Sequence, residues 1–390
     1  MRIIHSGTFE ANSGGVATCI YEMLLSLKQI GIQGELFSYE PKENAKLVGT
    51  EIDTHYTKRP IRAWWNKLLY SPVYKRDLED IGRADVYHVN GIWLYDTYAM
   101  IDVAKKMHTP YVVMPHGMLY PQDIRKSNFV IKEFFLHARL LKDLNNAACV
   151  LATCDDEMKH CRNLGVRAPI AIIPNSIRMP RVPEKIFQSN CRVIGYIGRI
   201  SRRKNVEGII YAWNYVKNKS TTEENKKCFD DSKLVIIGDG DEEYMTFLKR
   251  EVQRLNLKNV EFTGFLSGKR RDEAMLGVDV FCMPSEFENF GMVIAESLAR
   301  GIPCIATKGA PWKDLETENC GWWVEYSQEE INKAVEAAFL SSRDQLERMG
   351  KNGKSLVKKK YTLDVTARQF EHLYRWICKK AEKPEFVYIV

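Results

Sequence analysis

The chain has 390 residues, 45% of them hydrophobic and 27% charged, with a formal net charge of +7. That length supplies two separate cores, and the even composition excludes a disordered or collagen-like chain. No run approaches the roughly 20 apolar residues of a membrane-spanning helix, and no recognised nucleic-acid motif accompanies the basic excess, so neither an integral membrane protein nor a nucleic-acid binder is expected.

The N-terminus enters a strand pattern at 2–6 without the charged, apolar and small-residue succession of a secretory signal, so a cytoplasmic location is expected. Ser13-Gly14-Gly15-Val16 follows. Paired glycines between a strand and a helix can form a phosphate-cradling turn, although the segment lacks the full fingerprints of a dinucleotide site and of a P-loop. Residues 16–29 repeat apolar side chains at Val16, Ile20, Met23, Leu24 and Leu27, a helical spacing. Further short apolar runs at 35–38, 85–89, 111–114, 149–152 and 171–173 read as strands.

Between positions 58 and 76, Lys58, Arg59, Arg62, Lys67, Lys75 and Arg76 are interleaved with Trp64, Trp65, Leu68, Leu69, Tyr70 and Tyr74. This suits either a peripheral contact with an anionic membrane or a helix with one packed and one solvated face. Met114-Pro115-His116-Gly117-Met118 ends the strand at 111–114, where His116 is either a cleft residue or a structural histidine.

The stretch 174–190 holds Pro174, Pro180 and Pro183 with little periodicity and reads as a boundary. A fresh strand at 193–197 leads into Gly198-Arg199-Ile200-Ser201-Arg202-Arg203-Lys204-Asn205. Cations at a strand's carboxyl end, before a helix, form an anion site; Arg199 and Lys204 are the candidates, with Arg202 and Arg203 solvated. Strands follow at 234–237, 260–263, 278–283 and 303–306. After the third of these comes Pro284-Ser285-Glu286-Phe287-Glu288-Asn289-Phe290-Gly291-Met292-Val293-Ile294-Ala295-Glu296. The loop feeds a helix starting near Gly291, which allows close backbone approach, while Glu288 in the loop and Glu296 in the helix offer carboxylates to sugar and ribose hydroxyls. Two helix-end carboxylates complementing the dipole are the alternative. The ten cysteines are scattered, with no C-x-x-C pair, so neither a metal site nor a disulfide framework is expected.

Strands alternating with helical patterns imply parallel sheets covered on both faces. The expected fold is α/β, two doubly wound Rossmann-like domains spanning 1–180 and 191–361, with ligands in the cleft between them. The stretch 362–390, whose Phe370, Tyr374 and Trp376 form an aromatic stripe, is expected to return to the first domain.

Together these stretches resemble retaining glycosyltransferases of the GT-B fold, family 4. Glu288 and Glu296 match that family's E-x7-E pair, and Gly198-Arg199 with Lys204-Asn205 is similar to its G-R-x-x-x-x-K. Ile237-Gly238-Asp239-Gly240 and Phe262-Thr263-Gly264-Phe265-Leu266 resemble the strands lining its nucleobase pocket, and Ala299-Arg300-Gly301-Ile302-Pro303-Cys304 resembles the link into its following strand. The resemblance implies that Arg199 and Lys204 bind the diphosphate of a nucleotide-sugar donor and Glu296 its ribose. Glu288, Asn289, Phe290 and Gly291 would hold the sugar, Gly240, Phe265 and Leu266 the base side, and Gly14-Gly15 the phosphates and acceptor. His116 would sit by the sugar's reacting face. Gly309-Ala310-Pro311-Trp312 departs from the family's glycine-rich segment, and Asn289 stands where many relatives have glycine.

The implied chemistry needs no metal, no cofactor and no side-chain nucleophile: fixed cations and helix-end amides stabilise the diphosphate as it leaves. The expected acceptor is a glycan or a lipid-linked glycan of surface polysaccharide synthesis. A sugar-nucleotide 2-epimerase of similar fold and a non-catalytic nucleotide-sugar-binding subunit stand as alternatives.

Overall fold

The computed structural model describes residues 1–61, 66–125, 128–187 and 191–390. Its strands, in chain order, are β1 (Arg2–Ser6), β2 (Gln33–Tyr39), β3 (Thr54–Thr57), β4 (Val86–Asn90), β5 (Tyr111–Met114), β6 (Cys149–Ala152) and β7 (Ile170–Ile172). There follow β8 (Val193–Ile197), β9 (Lys233–Ile237), β10 (Val260–Gly264), β11 (Val280–Met283), β12 (Cys304–Thr307), β13 (Gly321–Val324) and β14 (Val387–Tyr388). The chain forms two compact units, one of residues 1–178 with 362–390 and one of residues 179–361.

The first unit holds a sheet of order β14-β7-β6-β5-β4-β1-β2-β3, parallel except where β14 meets β7. The second holds a parallel sheet of order β10-β9-β8-β11-β12-β13. Central strands such as β6, β11 and β12 are buried along their whole length, because helices cover both faces and every side chain meets apolar neighbours. In each sheet the strand order reverses once, between β1 and β4 and between β8 and β11. The loops leaving those strands diverge to opposite faces and open a crevice at their carboxyl ends.

Each core has an aromatic centre. In the first, Tyr74 meets Phe37 edge-on at 4.8 Å. In the second, the buried Trp213 ring lies 4.9 Å from Phe229 and donates from Nε1 to Asn259 Oδ1 at 3.0 Å, which removes the cost of an unpaired indole N–H. The helix Leu363–Ile377 packs against the helix Gly15–Gln29 of the first unit. It is seated by the buried Phe370 and by Tyr374, whose hydroxyl bonds His88 Nδ1 at 2.6 Å.

Part of the Pro-rich stretch is packed. Phe187 is buried in the second unit, and Lys185 Nζ bonds Asp279 Oδ1 at 2.8 Å, with both side chains covered. Of the basic-aromatic segment at 58–76, Arg62, Trp64 and Trp65 lie outside the described residues.

Candidate functional site

The second unit's switch point is built by backbone contacts that only glycine permits. Past β8, Gly198 N donates to Ile237 O at 3.0 Å and Ile200 N to Asp239 O at 2.9 Å, while Gly238 N reaches Gly264 O at 2.9 Å. A Cβ at Gly238 would lie 1.9 Å from the Gly198 oxygen, and one at Gly240 would lie 1.8 Å from the Ile200 oxygen. The three loops therefore close on one another and leave a cavity of about 260 Å³ lined by Gly198, Arg199, Phe265, Leu266, Arg271 and Val293. Phe265 is 74% exposed and offers an open aromatic face at its rim. Tyr196 donates its hydroxyl to Arg199 O at 2.8 Å, fixing the backbone from which the Arg199 side chain rises.

The loop after β11 carries the glutamates. It is pinned by Glu286 N to Arg203 O at 3.0 Å and by Glu288 N to Gly309 O at 2.8 Å, so the departing segment Gly309-Ala310-Pro311-Trp312 is structural support for this loop. Trp312 extends that support, its Nε1 donating to Phe290 O and its ring lying 5.3 Å from the Phe290 ring. Gly291 ends the loop at φ 81 and caps the helix Met292–Ala299. Val293, in the first turn of that helix, lines the cavity, which puts the positive end of the helix dipole beside it.

Sequence reading leaves Glu288 and Glu296 free to accept from hydroxyls. In the structure each has a cation partner: Glu288 ion-pairs with Lys204, and Glu296 with Arg271 from the helix Gly268–Gly277. Glu288 is only 9% exposed, and a carboxylate so covered requires a cation or a donor. Arg199, by contrast, is exposed and forms no ion pair with a described residue. Arg202 and Arg203 are not merely solvated. The Arg202 guanidinium lies 5.3 Å above the Tyr244 ring and 5.8 Å from that of Phe247, and Arg203 lies 5.2 Å above Phe287. Asn289 is partly exposed within the glutamate loop.

In the first unit, Gly14, at φ 73, caps the helix Gly15–Gln29, and a Cβ at Gly14 or Gly15 would meet nothing within 4 Å, so this turn faces open space. His116 lies in the turn after β5, in the left-handed region at φ 53. Its Nε2 lies 2.9 Å from Asn90 Oδ1, and the Asn90 amide donates to Ser6 O at 2.9 Å. Because Asn90 thus presents its oxygen, His116 carries its proton on Nε2 and Nδ1 keeps a lone pair. Burial lowers the imidazole pKa to about 4, so the ring is neutral near pH 7.

Glu157 holds the same turn. Its Oε1 accepts from Gly117 N at 2.6 Å, and its Oε2 accepts from Thr153 N and Oγ1 at 2.7 and 2.8 Å. Sequence reasoning missed Glu157, Asn90 and Arg271. Arg271 is one of three successive cations, 269–271, and nothing in that run singles it out. Among the described residues no three His, Cys, Asp or Glu side chains gather as a metal site, and no helix is long and apolar enough to cross a membrane.

The family described as glycosyl transferases group 1 matches residues 182–356, and the glycosyl transferase 4-like domain matches residues 14–176. An uncharacterized glycosyltransferase of Methanocaldococcus jannaschii is 27% identical over 191 residues, 48% of this chain and 46% of that protein, so this match spans less than half the relative's length. The alpha-monoglucosyldiacylglycerol synthase of Streptococcus pneumoniae is 23% identical over 370 residues, 88% of this chain and 79% of that protein. Among solved structures, sucrose-phosphate synthase from Thermosynechococcus elongatus superposes with a TM-score of 0.74 at 17% identity, covering 98% of this chain and 100% of that one.

Proposed function

The chain belongs to the glycosyl transferases group 1 family and has the GT-B fold, and from that premise we propose that it is a cytoplasmic, metal-independent retaining glycosyltransferase using a nucleotide-diphosphate sugar. The acceptor in this reading is a glycan or lipid-linked glycan of surface polysaccharide synthesis. A lipid acceptor is supported by the name of the Streptococcus pneumoniae relative, a glucosyldiacylglycerol synthase.

The observation that carries the reading is the pair of ion pairs at the switch point, Lys204 with Glu288 and Arg271 with Glu296, beside a cavity into which the unpaired Arg199 projects. A donor diphosphate would take Arg199 and draw Lys204 toward its oxygens, releasing Glu288 to accept from sugar hydroxyls. Glu296 would accept from the ribose diol while Arg271 keeps one of its oxygens in place. The base would enter beside Phe265 and Leu266, at the loops whose close approach Gly238 and Gly240 permit.

In the transfer step the anomeric C–O bond breaks and its electron pair leaves with the diphosphate. Arg199, Lys204 and the start of the helix Met292–Ala299 stabilise that charge. The acceptor oxygen bonds the oxocarbenium-like carbon on the face the leaving group vacates, and the acceptor's proton passes to the departing phosphate oxygen. His116, neutral with a lone pair on Nδ1, would accept from a sugar hydroxyl without opposing the positive sugar.

Calorimetry with bare nucleoside diphosphates tests the donor assignment. Arg199→Ala and Glu296→Ala should each weaken binding at least about tenfold, in line with loss of a charge-assisted contact. Wild-type affinity in both variants would sink the assignment. Activity should also survive chelation of divalent cations.

A further inference from the structure

One strand along from the first unit's switch point, the turn that carries His116 is gripped from both sides. β5 lies between β6 and β4 in the sheet. Asn90, the last residue of β4, holds the imidazole through Oδ1 at 2.9 Å. On the other side Thr153 directly follows β6, and Glu157 stands in the first turn of the helix Asp155–Asn163. Glu157 takes the Gly117 N–H on Oε1 at 2.6 Å, and Thr153 N and Oγ1 on Oε2 at 2.7 and 2.8 Å.

The turn needs that second hold. His116 and Gly117 are both left-handed, at φ 53 and 77, and two such residues in succession persist only where the surroundings fix them. Met118 N bonds Pro115 O at 3.1 Å and Tyr120 N bonds Gly117 O at 3.2 Å, and neither bond uses the Gly117 N–H. Gly117 is buried, so its amide requires an acceptor, while His116 stays partly exposed.

The acceptor supplied is a charged one. Glu157 is 1% exposed and forms no ion pair with a described residue. All its partners are donors, so the ionised carboxylate fits and a protonated one would have to surrender a bond. Capping the helix does not require this charge, because Cys154 Sγ already accepts from Glu157 N at 3.5 Å. What the charge adds is a strong, directional hold on Gly117.

We propose that Glu157 is a positioning residue for sugar transfer, fixing the Gly117 amide so that His116 presents Nδ1 at one place and angle. The proposal rests on the transferase reading above, in which His116 meets the donor sugar; Glu157 itself touches no substrate.

Imidazole 15N NMR of the full chain, labelled at histidine, tests the hold without substrate. In wild type His116 should carry its proton on Nε2 and stay neutral down to about pH 4. Glu157→Gln keeps the shape but turns one acceptor oxygen into a donor. In that variant His116 should titrate at least about one unit higher, nearer the 6.5 of a free ring, as the loosened turn admits water. Loss of the nearby negative charge alone would move it down, so an upward shift reports the turn. Kinetics with UDP-glucose and GDP-mannose as donors and a panel of glycan acceptors reads the function. The variant's kcat should fall at least about tenfold while nucleoside diphosphate affinity by calorimetry stays within about twofold. A His116 titration unmoved or lowered, or a wild-type kcat, would make Glu157 structural only and overturn the proposal. A wild type that consumes neither donor would sink the transferase reading, with the NMR still deciding whether Glu157 sets His116. Should Glu157→Gln fold poorly, the wild-type Gly117 amide carries the test. It should exchange with solvent at least about a hundredfold more slowly than that of the exposed Gly15, and equal exchange would overturn the hold.

Discussion

Glu288 is a covered carboxylate whose charge is costly without a partner. Only 9% exposed, it is neutralised by Lys204, which is itself partly covered. Lys204→Ala should therefore destabilise the protein by about 2 kcal/mol, between the values for exposed and fully buried pairs, and Lys204→Ala/Glu288→Gln should recover part of that loss. Equal stability of the single and double variants in denaturant would show that the unpaired Glu288 carries no cost, and a Lys204→Ala variant as stable as wild type would show that the pair contributes nothing to the fold.

The histidines set a second residue-scale expectation. His5 is fully buried, stacked on His88 at 4.3 Å, and burial lowers its pKa to about 3; that of His116 falls to about 4. Unfolded histidine titrates near 6.5, so between that value and the lowered ones the unfolded chain binds more protons and stability rises with pH. Stability should thus fall as pH drops from about 6.5 toward 4, by up to about 1.4 kcal/mol per pH unit for each buried ring, and the thermal midpoint should fall with it. His5→Leu should show a shallower fall. A midpoint unchanged across that range would contradict this reading.

At the level of elements, the glutamate loop depends on its hinge with the following helix. Gly291 holds φ 81, and a Cβ there would sit 3.2 Å from Ile294 Cδ1 and 3.4 Å from Trp312 Nε1. Gly291→Ala should cost about 1–2 kcal/mol from the left-handed backbone alone. It should also weaken nucleotide binding, because Glu288, Asn289 and Phe290 shift with the loop; a melting curve and calorimetry on one preparation check both.

The central strands were readable because burial on both faces leaves an unbroken apolar run, as in Val280-Phe281-Cys282-Met283. Sequence reading missed β3, an edge strand of Thr54-His55-Tyr56-Thr57, because half-exposed edges need no such run. It also missed β13, where Gly321 opens a half-buried Trp-Trp-Val edge, and the two-residue β14. The candidate site was legible to the extent that strand-to-helix loops and the helix start after β11 carry it, which is how Arg199, Lys204, Glu288 and Glu296 became candidates. Their pairing was not, because contacts such as Arg271 with Glu296 join loops that only the folded sheet brings together.

Over the whole molecule, each unit repeats one plan: a parallel sheet whose strand order reverses once, with its chemistry-bearing residues in the loops beside the reversal. The second unit gathers cations, paired carboxylates and a cavity of about 260 Å³ there; the first gathers a glycine turn after β1 and, one strand further along, a histidine after β5. The central claim is that these residues release a nucleoside diphosphate and pass the sugar on with its anomeric configuration kept. Proton NMR of the anomeric signals, followed while the protein turns over α-linked nucleotide-sugar donors with a panel of glycan and lipid-linked acceptors, tests this most directly. The account predicts loss of the donor signal and growth of an α-linked product, both abolished by Lys204→Ala and by Glu288→Ala. A β-linked product, a donor converted to its 2-epimer without acceptor, or a wild-type rate in those variants would contradict it.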